Sequence, residues 1–146
     1  MEQLMYEKAK NQFLSHFPSI LPIDQAYVHV GMFLGWMLEQ ELYSEIFEDE
    51  EAHQLLRFKN REISCSLLSA LWDGYLGEEL FNEEGNEFCH YYYQSGMYRR
   101  DYQDVFISKE DYNGQVEDSW ENYEKLAKRI TARFKDWKKN FNTIMA

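Results

Sequence analysis

The sequence predicts an all-α fold, a single-domain bundle of five to six helices spanning residues 1–146. Three observations lead there. Only two prolines occur, Pro18 and Pro22, and they bracket one loop, which leaves the remaining chain free to be helical. Apolar residues recur at spacings of three and four in two long runs, 25–42 and 119–141. With 146 residues, 45% hydrophobic and 17% aromatic, the chain has material for one core but not comfortably for two.

Residues 2–15 place Leu4, Met5, Lys8, Phe13 and Leu14 on a loose helical repeat, which predicts a weakly amphipathic first helix. The proline loop SHFPSILPID follows, and Asp24 at its end is a candidate N-cap for QAYVHVGMFLGWMLEQEL. Val28, Met32, Phe33, Trp36 and Met37 make this the central core helix, and Gly31 and Gly35 would let a neighbouring helix approach closely. In SEIFEDEEAHQLLRFKN, Glu45, Glu48, Asp49, Glu50 and Glu51 precede Arg57, Lys59 and Arg61, an order that suits a helix dipole. ISCSLLSALWDG predicts a short helix with Ser64 as cap, Leu67, Leu68, Leu71 and Trp72 as buried positions, and Gly74 as stop. A turn or short helix containing Glu78 to Phe81 comes next.

Asn82 can cap the long segment NEEGNEFCHYYYQSGMYRRDYQDVF, in which Phe88, Tyr92, Met97, Tyr102 and Phe106 recur at mixed spacings of four and five. One or two helices with a break near Gly96 accommodate that pattern. The Asn113-Gly114 turn signal in the loop SKEDYNGQ allows either a helix connection or a short hairpin near 107–117. Finally, Asp118 or Ser119 caps a helix carrying Trp120, Tyr123, Ala127, Ile130, Phe134, Trp137 and Phe141 on one face, with acids first and bases last.

The net charge is −11, and it is unevenly spread. Residues 1–124 carry 25 acids against 8 bases, a charge of −17, whereas from Lys125 onward seven bases stand against Asp136 alone, a charge of +6. An acidic body repels phosphate backbones, so direct nucleic-acid binding is not expected. The basic segment is expected to neutralise acidic neighbours inside the fold. Cys65 and Cys89 are too few and too far apart for a disulfide framework or a CxxC motif, and read as reduced, buried thiols. The N-terminal MEQLMYEKAKNQF carries acids and no continuous apolar run, unlike a signal peptide, and no stretch has the length and apolarity of a membrane span. A cytoplasmic protein without membrane association is the expectation.

Several strings carry a resemblance. They are HVGMFLGWMLEQELYSE at 29–45, WDGYLGEELFNEEGNEF at 72–88, YRRDYQDVF at 98–106 and VEDSWENYEKLAKRITARFKDWK at 116–138. Together they resemble a family of small acidic bacterial proteins of unknown function, some of them called only "cell surface protein". The N-terminus departs from that pattern, lacking a Trp-rich and Gly-rich opening. The resemblance implies a bacterial setting and brings no catalytic residue or cofactor with it. By analogy, small acidic single-domain bacterial proteins are similar to immunity proteins that neutralise a cognate toxin.

Two Glu-x-x-His strings, Glu50 to His53 and Glu87 to His90, offer the sharpest chemical alternative. Residues three apart share a helix face, so each string presents a carboxylate and an imidazole as in carboxylate-bridged metal bundles. Such a site also needs two inward glutamates, for which Glu39 or Glu41 and Glu121 or Glu124 can be nominated, but the first string lies in EDEEAH, which reads as a solvated face. His29, between two valines, reads as a hydrogen-bonded core histidine. Cys89 and His90 are adjacent and point apart on a helix, which argues against a nucleophile–base dyad. No phosphate loop, GxSxG elbow or zinc spacing is present.

What remains is a surface rich in carboxylates and tyrosines. Tyr91, Tyr92 and Tyr93 span about 200° of a helix, so at least one is exposed. The expected function is therefore non-enzymatic protein binding, of bacterial immunity type against a basic toxin, needing no cofactor. Glu83, Glu84, Glu87, Tyr91, Asp101 and Asp104 form its contact surface, the carboxylates steering association and tyrosine anchoring it. The alternative is a metal-binding bundle protein or enzyme using Glu50, His53, Glu87 and His90.

Overall fold

Burial of one apolar helix organises the architecture. A computed structural model of the chain describes residues 5–8, 24–106 and 116–145. In it α1 (Asp24–Glu39) lies at the centre, with Ala26, Val30, Met32, Phe33, Leu34, Met37 and Leu38 all fully shielded from solvent. Around it run α2 (Glu45–Lys59), α3 (Cys65–Ala70), α4 (Glu83–Phe88), which continues into a π-helical turn over Cys89–Tyr93, α5 (Met97–Phe106) and α6 (Trp120–Met145). The all-α expectation therefore holds, with six helices among the described residues and a single short two-stranded ribbon beside them.

The ribbon corrects the reading of the N-terminus. Residues expected in a helix over 2–15 include a strand, β1 (Met5–Lys8), paired antiparallel with β2 (Tyr75–Gly77) through a bulge between Met5 and Glu7. The rest of that stretch and the proline loop lie outside the described residues. A weak helical repeat lost to tertiary pairing here: the left-handed pair Asp73 and Gly74 turns the chain out of α3, and the β-prone Tyr75 and Leu76 that follow offer an edge to pair with. The loop near 107–117 also lies outside the described residues, apart from positions 116 and 117.

Capping signals are otherwise used much as the sequence suggests, whereas Leu67 and Leu71, expected to be buried, stand exposed on and just after α3. Ser44, Ser64, Asn82 and Ser119 each accept a backbone hydrogen bond from the residue three further on, at 2.7–3.2 Å, capping α2, α3, α4 and α6. Helix α1 begins at Asp24 itself, one position earlier than a cap at that residue would place it. Gly96, at φ +87°, makes the break before α5. The mixed spacing of four and five in the tyrosine segment has a clear cause: the π turn, closed by Gln94 N–H to the Cys89 carbonyl at 3.0 Å, accommodates an extra residue per turn.

Helix α3 has only six residues, too few to persist alone, and owes its existence to packing on α1. That packing requires Gly31. A Cβ there would lie 2.0 Å from the Cys65 carbonyl oxygen, and at Gly35 a Cβ would meet the Phe58 ring at 2.5 Å. The predicted consequence is that Gly31→Ala forces the two backbones apart and lowers stability by about 3 kcal/mol, the upper range for overpacking. Gly96→Ala has open space around it and costs only the left-handed backbone, about 1 kcal/mol. Chemical denaturation of both variants checks the difference.

Candidate functional site

Five of the six nominated contact residues sit at the surface, and the sixth does not. Asp101 is buried, with 2% of its side chain exposed, and its carboxylate is fully occupied. Tyr92 Oη donates to it at 2.8 Å, Arg133 grips it through Nε at 2.9 Å and Nη2 at 3.0 Å, and Arg129 Nη1 adds a bond at 3.1 Å. Asp101 is thus a structural clasp between α5, the π turn and α6, and its placement on a contact surface is corrected. Its neighbours in sequence, Tyr102 and Tyr98, are also buried, so the polar letter was read as exposed where the helix face is inward.

The electrostatics follow from that geometry. Burial pushes the Asp101 carboxyl upward, but hydrogen bonds from Arg133 and Tyr92, together with the arginine charge, outweigh it and hold the group below the usual aspartate range. Arg133 is driven the other way, chiefly by its bond to Asp101. Burial, then the bond to Asp101, raise the Tyr92 phenol far above its ordinary value. Burial likewise raises the thiols of Cys65 and Cys89, and both lie free in the core, which makes them poor nucleophiles.

The remaining nominated residues flank the basic helix α6. Asp104 pairs with Arg129 at 3.6 Å, and Glu84 with Lys138 at 3.1 Å. The expectation that the C-terminal bases neutralise acids within the fold is met at these pairs and at Asp101. Glu83 and Glu87 are exposed on α4, one turn apart, and among the described residues neither forms an ion pair. Of the three consecutive tyrosines, Tyr92 and Tyr93 turn inward and Tyr91 stays 36% exposed, its ring stacked on Trp137 with centroids 6.3 Å apart. Tyr93 packs with Tyr98 and Tyr102 around the buried His29, whose ring lies 4.6 Å from that of Tyr102 and 4.8 Å from that of Tyr98. His29 is therefore a core residue, as its valine neighbours suggest.

Among the described residues the metal alternative is not assembled. Glu50 and His53 are exposed on α2, Glu87 and His90 are exposed on α4 and the π turn, and His90 instead meets Gln94 at 2.5 Å. Among the described residues no group of three or more histidine, cysteine or carboxylate side chains converges on a point that could hold a metal. The second-rank glutamates are engaged elsewhere: Glu124 with Arg61 at 2.8 Å, Glu121 with Lys125 at 3.6 Å, and Glu39 with the Tyr123 hydroxyl.

A family model now bears on this arrangement, because it matches residues 5–132, from β1 well into α6. The chain belongs to the family "Domain of unknown function (DUF7832)". No curated protein and no solved structure matches it. The match encloses Gly31, the clasp on Asp101 up to Arg129, and Glu83, Glu87 and Tyr91, while Arg133, Trp137 and Lys138 fall just beyond it. No described helix is long and apolar enough to cross a membrane.

One feature escaped the sequence reading. A cleft of about 530 Å³ opens beside α6, on a different side of that helix from Arg129 and Arg133. Glu39 from the end of α1, Arg61 from the turn after α2, and Tyr123, Lys128, Thr131 and Lys135 from α6 border it. Lys128, Thr131 and Lys135 stand at spacings of three and four, which is legible in sequence; the contributions of Glu39 and Arg61 depend on tertiary packing and are not.

The clasp makes a pH-dependent prediction. Because the folded Asp101 carboxyl is held below its unfolded value, the stability it confers is complete above about pH 4 and is lost as pH falls toward the lowered folded value. Asp101→Asn removes the charge under the two arginines and should cost about 3 kcal/mol at pH 7, the low end for a broken buried pair because both arginines are partly exposed. The variant should also show a shallower loss of stability between pH 4 and pH 2, measured by urea unfolding across that range.

Proposed function

We propose that this domain is a non-enzymatic protein-binding module whose contact face centres on Glu83, Glu87 and Tyr91, and that its partner presents a basic surface, as a toxin neutralised by an immunity-type protein in a bacterial cell would. The observation that carries this reading is Tyr91. The π turn places Tyr92 and Tyr93 in the core and leaves the Tyr91 ring at the surface, held against Trp137, on the helix that carries two carboxylates with no ion-pair partner among the described residues. A tyrosine braced in this way loses little entropy on being covered, and π turns are frequent where proteins meet ligands. The free carboxylates supply long-range attraction for a cationic partner and the ring supplies the desolvated anchor.

The face is narrower than charge alone suggests. Asp101 is spent inside the fold, while Glu84 and Asp104 are answered by Lys138 and Arg129. A partner must therefore place its positive charge over α4 rather than over α6, whose lysines and arginines would repel it. Capture of partners from the native host with immobilised domain tests the idea. The double variant Glu83→Lys/Glu87→Lys should weaken capture on the order of tenfold, mainly through slower association that depends on salt. Tyr91→Ala should accelerate release, and Glu45→Lys/Glu48→Lys on α2 should change neither. Capture unaffected by the α4 reversal, or lost equally with the α2 reversal, removes the proposed face.

A further inference from the structure

The cleft beside α6 has a chemistry distinct from the acidic contact face and does not depend on it. Its two carboxylates are both engaged. Glu124 is held by Arg61 at 2.8 Å, and Arg61 in turn lies over the Trp120 ring with its guanidinium carbon 4.3 Å from the centroid. Glu39 accepts the hydroxyl proton of Tyr123. Arg61 holds this position with a left-handed backbone, φ +60°, directly after the end of α2, where glycine is the usual occupant. An arginine kept in a glycine's conformation indicates that its side chain matters there.

With those acids paired internally, Lys128 and Lys135 are the uncommitted charges of the cleft: among the described residues neither makes an ion pair. They are two helical turns apart, about 10 Å along the axis. Between them lie Thr131 and the small, apolar Ala132, with Ala127 bordering the cleft just before Lys128. Thr131 Oγ1 accepts the indole N–H of Trp36 at 3.0 Å, so its own proton is available to the cleft. The sequence along the cleft is thus cation, hydroxyl donor with methyl-sized walls, then cation, in a volume suited to a small molecule.

We propose that this cleft binds an elongated small dianion whose two acidic ends reach Lys128 and Lys135 and whose apolar middle lies along Thr131 and Ala132. Carboxylate and phosphate ends share the required chemistry. The spacing of the lysines and the apolar floor between them select against a compact anion of the same charge.

Titration of ¹⁵N-labelled protein with suberate, an eight-carbon dicarboxylate, tests this directly. Saturable shifts are expected at the amides of Lys128, Thr131 and Lys135 and at the Trp36 indole N–H, which senses any new hydrogen bond made by Thr131. Lys128→Gln and Lys135→Gln should each weaken binding about fivefold, and Ala132→Phe, at an exposed position, should block it with the fold intact by circular dichroism. A suberyl monophosphate that binds as well as suberate, or better, supports the assignment and identifies phosphate as an accepted end. Pyrophosphate producing the same shifts with the same affinity would show attraction to lysine charge alone and overturn it. So would the absence of saturable shifts with suberate, or affinity unchanged in both lysine variants.

Discussion

The carboxylate of Asp101 is the constraint on which the outer half of this domain depends. A buried acid with one phenol and two guanidiniums around it can exist only if α5, the π turn and α6 meet at the right height. Everything on the α6 flank follows from that meeting. Fixing Arg129 and Arg133 on Asp101 sets the rotation of α6, which buries Ile130, sends Phe134 toward Trp36 and Phe88 and brings Trp137 under Tyr91. The same rotation carries Lys128 and Lys135 away to line the cleft. One polar contact thus partitions the basic stretch of this helix into a structural side and an open side.

The inner half depends on a different economy of space. Glycines on α1 allow the α3 backbone and the Phe58 ring to come closer than any side chain would permit, so a six-residue helix gains enough contact to be ordered. The aromatic side chains then fill the remaining volume in clusters, one of Trp120 and Tyr123 against Phe58 and another joining Phe33, Tyr98 and Tyr102 beside His29. A core built so heavily of rings fixes orientation as well as volume, since each ring must meet several neighbours at set angles, as Phe88 stacks on Tyr92 and meets Phe134 edge-on.

Much of this was legible in the residues. Caps at Ser44, Ser64, Asn82 and Ser119 are short-range hydrogen bonds, and the signals that predict them lie within three residues of where they act. Of these, Ser64, Asn82 and Ser119 were anticipated. The role of Gly31 and Gly35 was also readable, because a pair of glycines four apart on an apolar helix has few other uses. The strand at Met5–Lys8 was not, since its partner is some seventy residues away and its own periodicity is weak. Asp101 was misassigned for a related reason: an aspartate in YRRDYQDVF looks solvated until the arginines that neutralise it, close to thirty residues later, are brought alongside. Of the contact surface, Glu83, Glu87 and Tyr91 keep the exposure the sequence assigned to them, and the cleft, assembled from three distant segments, left no local trace beyond its lysine spacing.

The wide turn at Cys89–Tyr93 also affects how the family can vary. Such a turn holds one residue more than an α turn closing the same height, so a relative with a single deletion between Phe88 and Gln94 could still run from α4 to Gly96 as continuous α-helix. Because the wide turn absorbs the extra residue, side chains downstream of the deletion would keep their faces, and only the residues inside the turn would change place. Such a relative would keep its fold on both sides of the turn and differ only in which residue of the turn lies over Trp137.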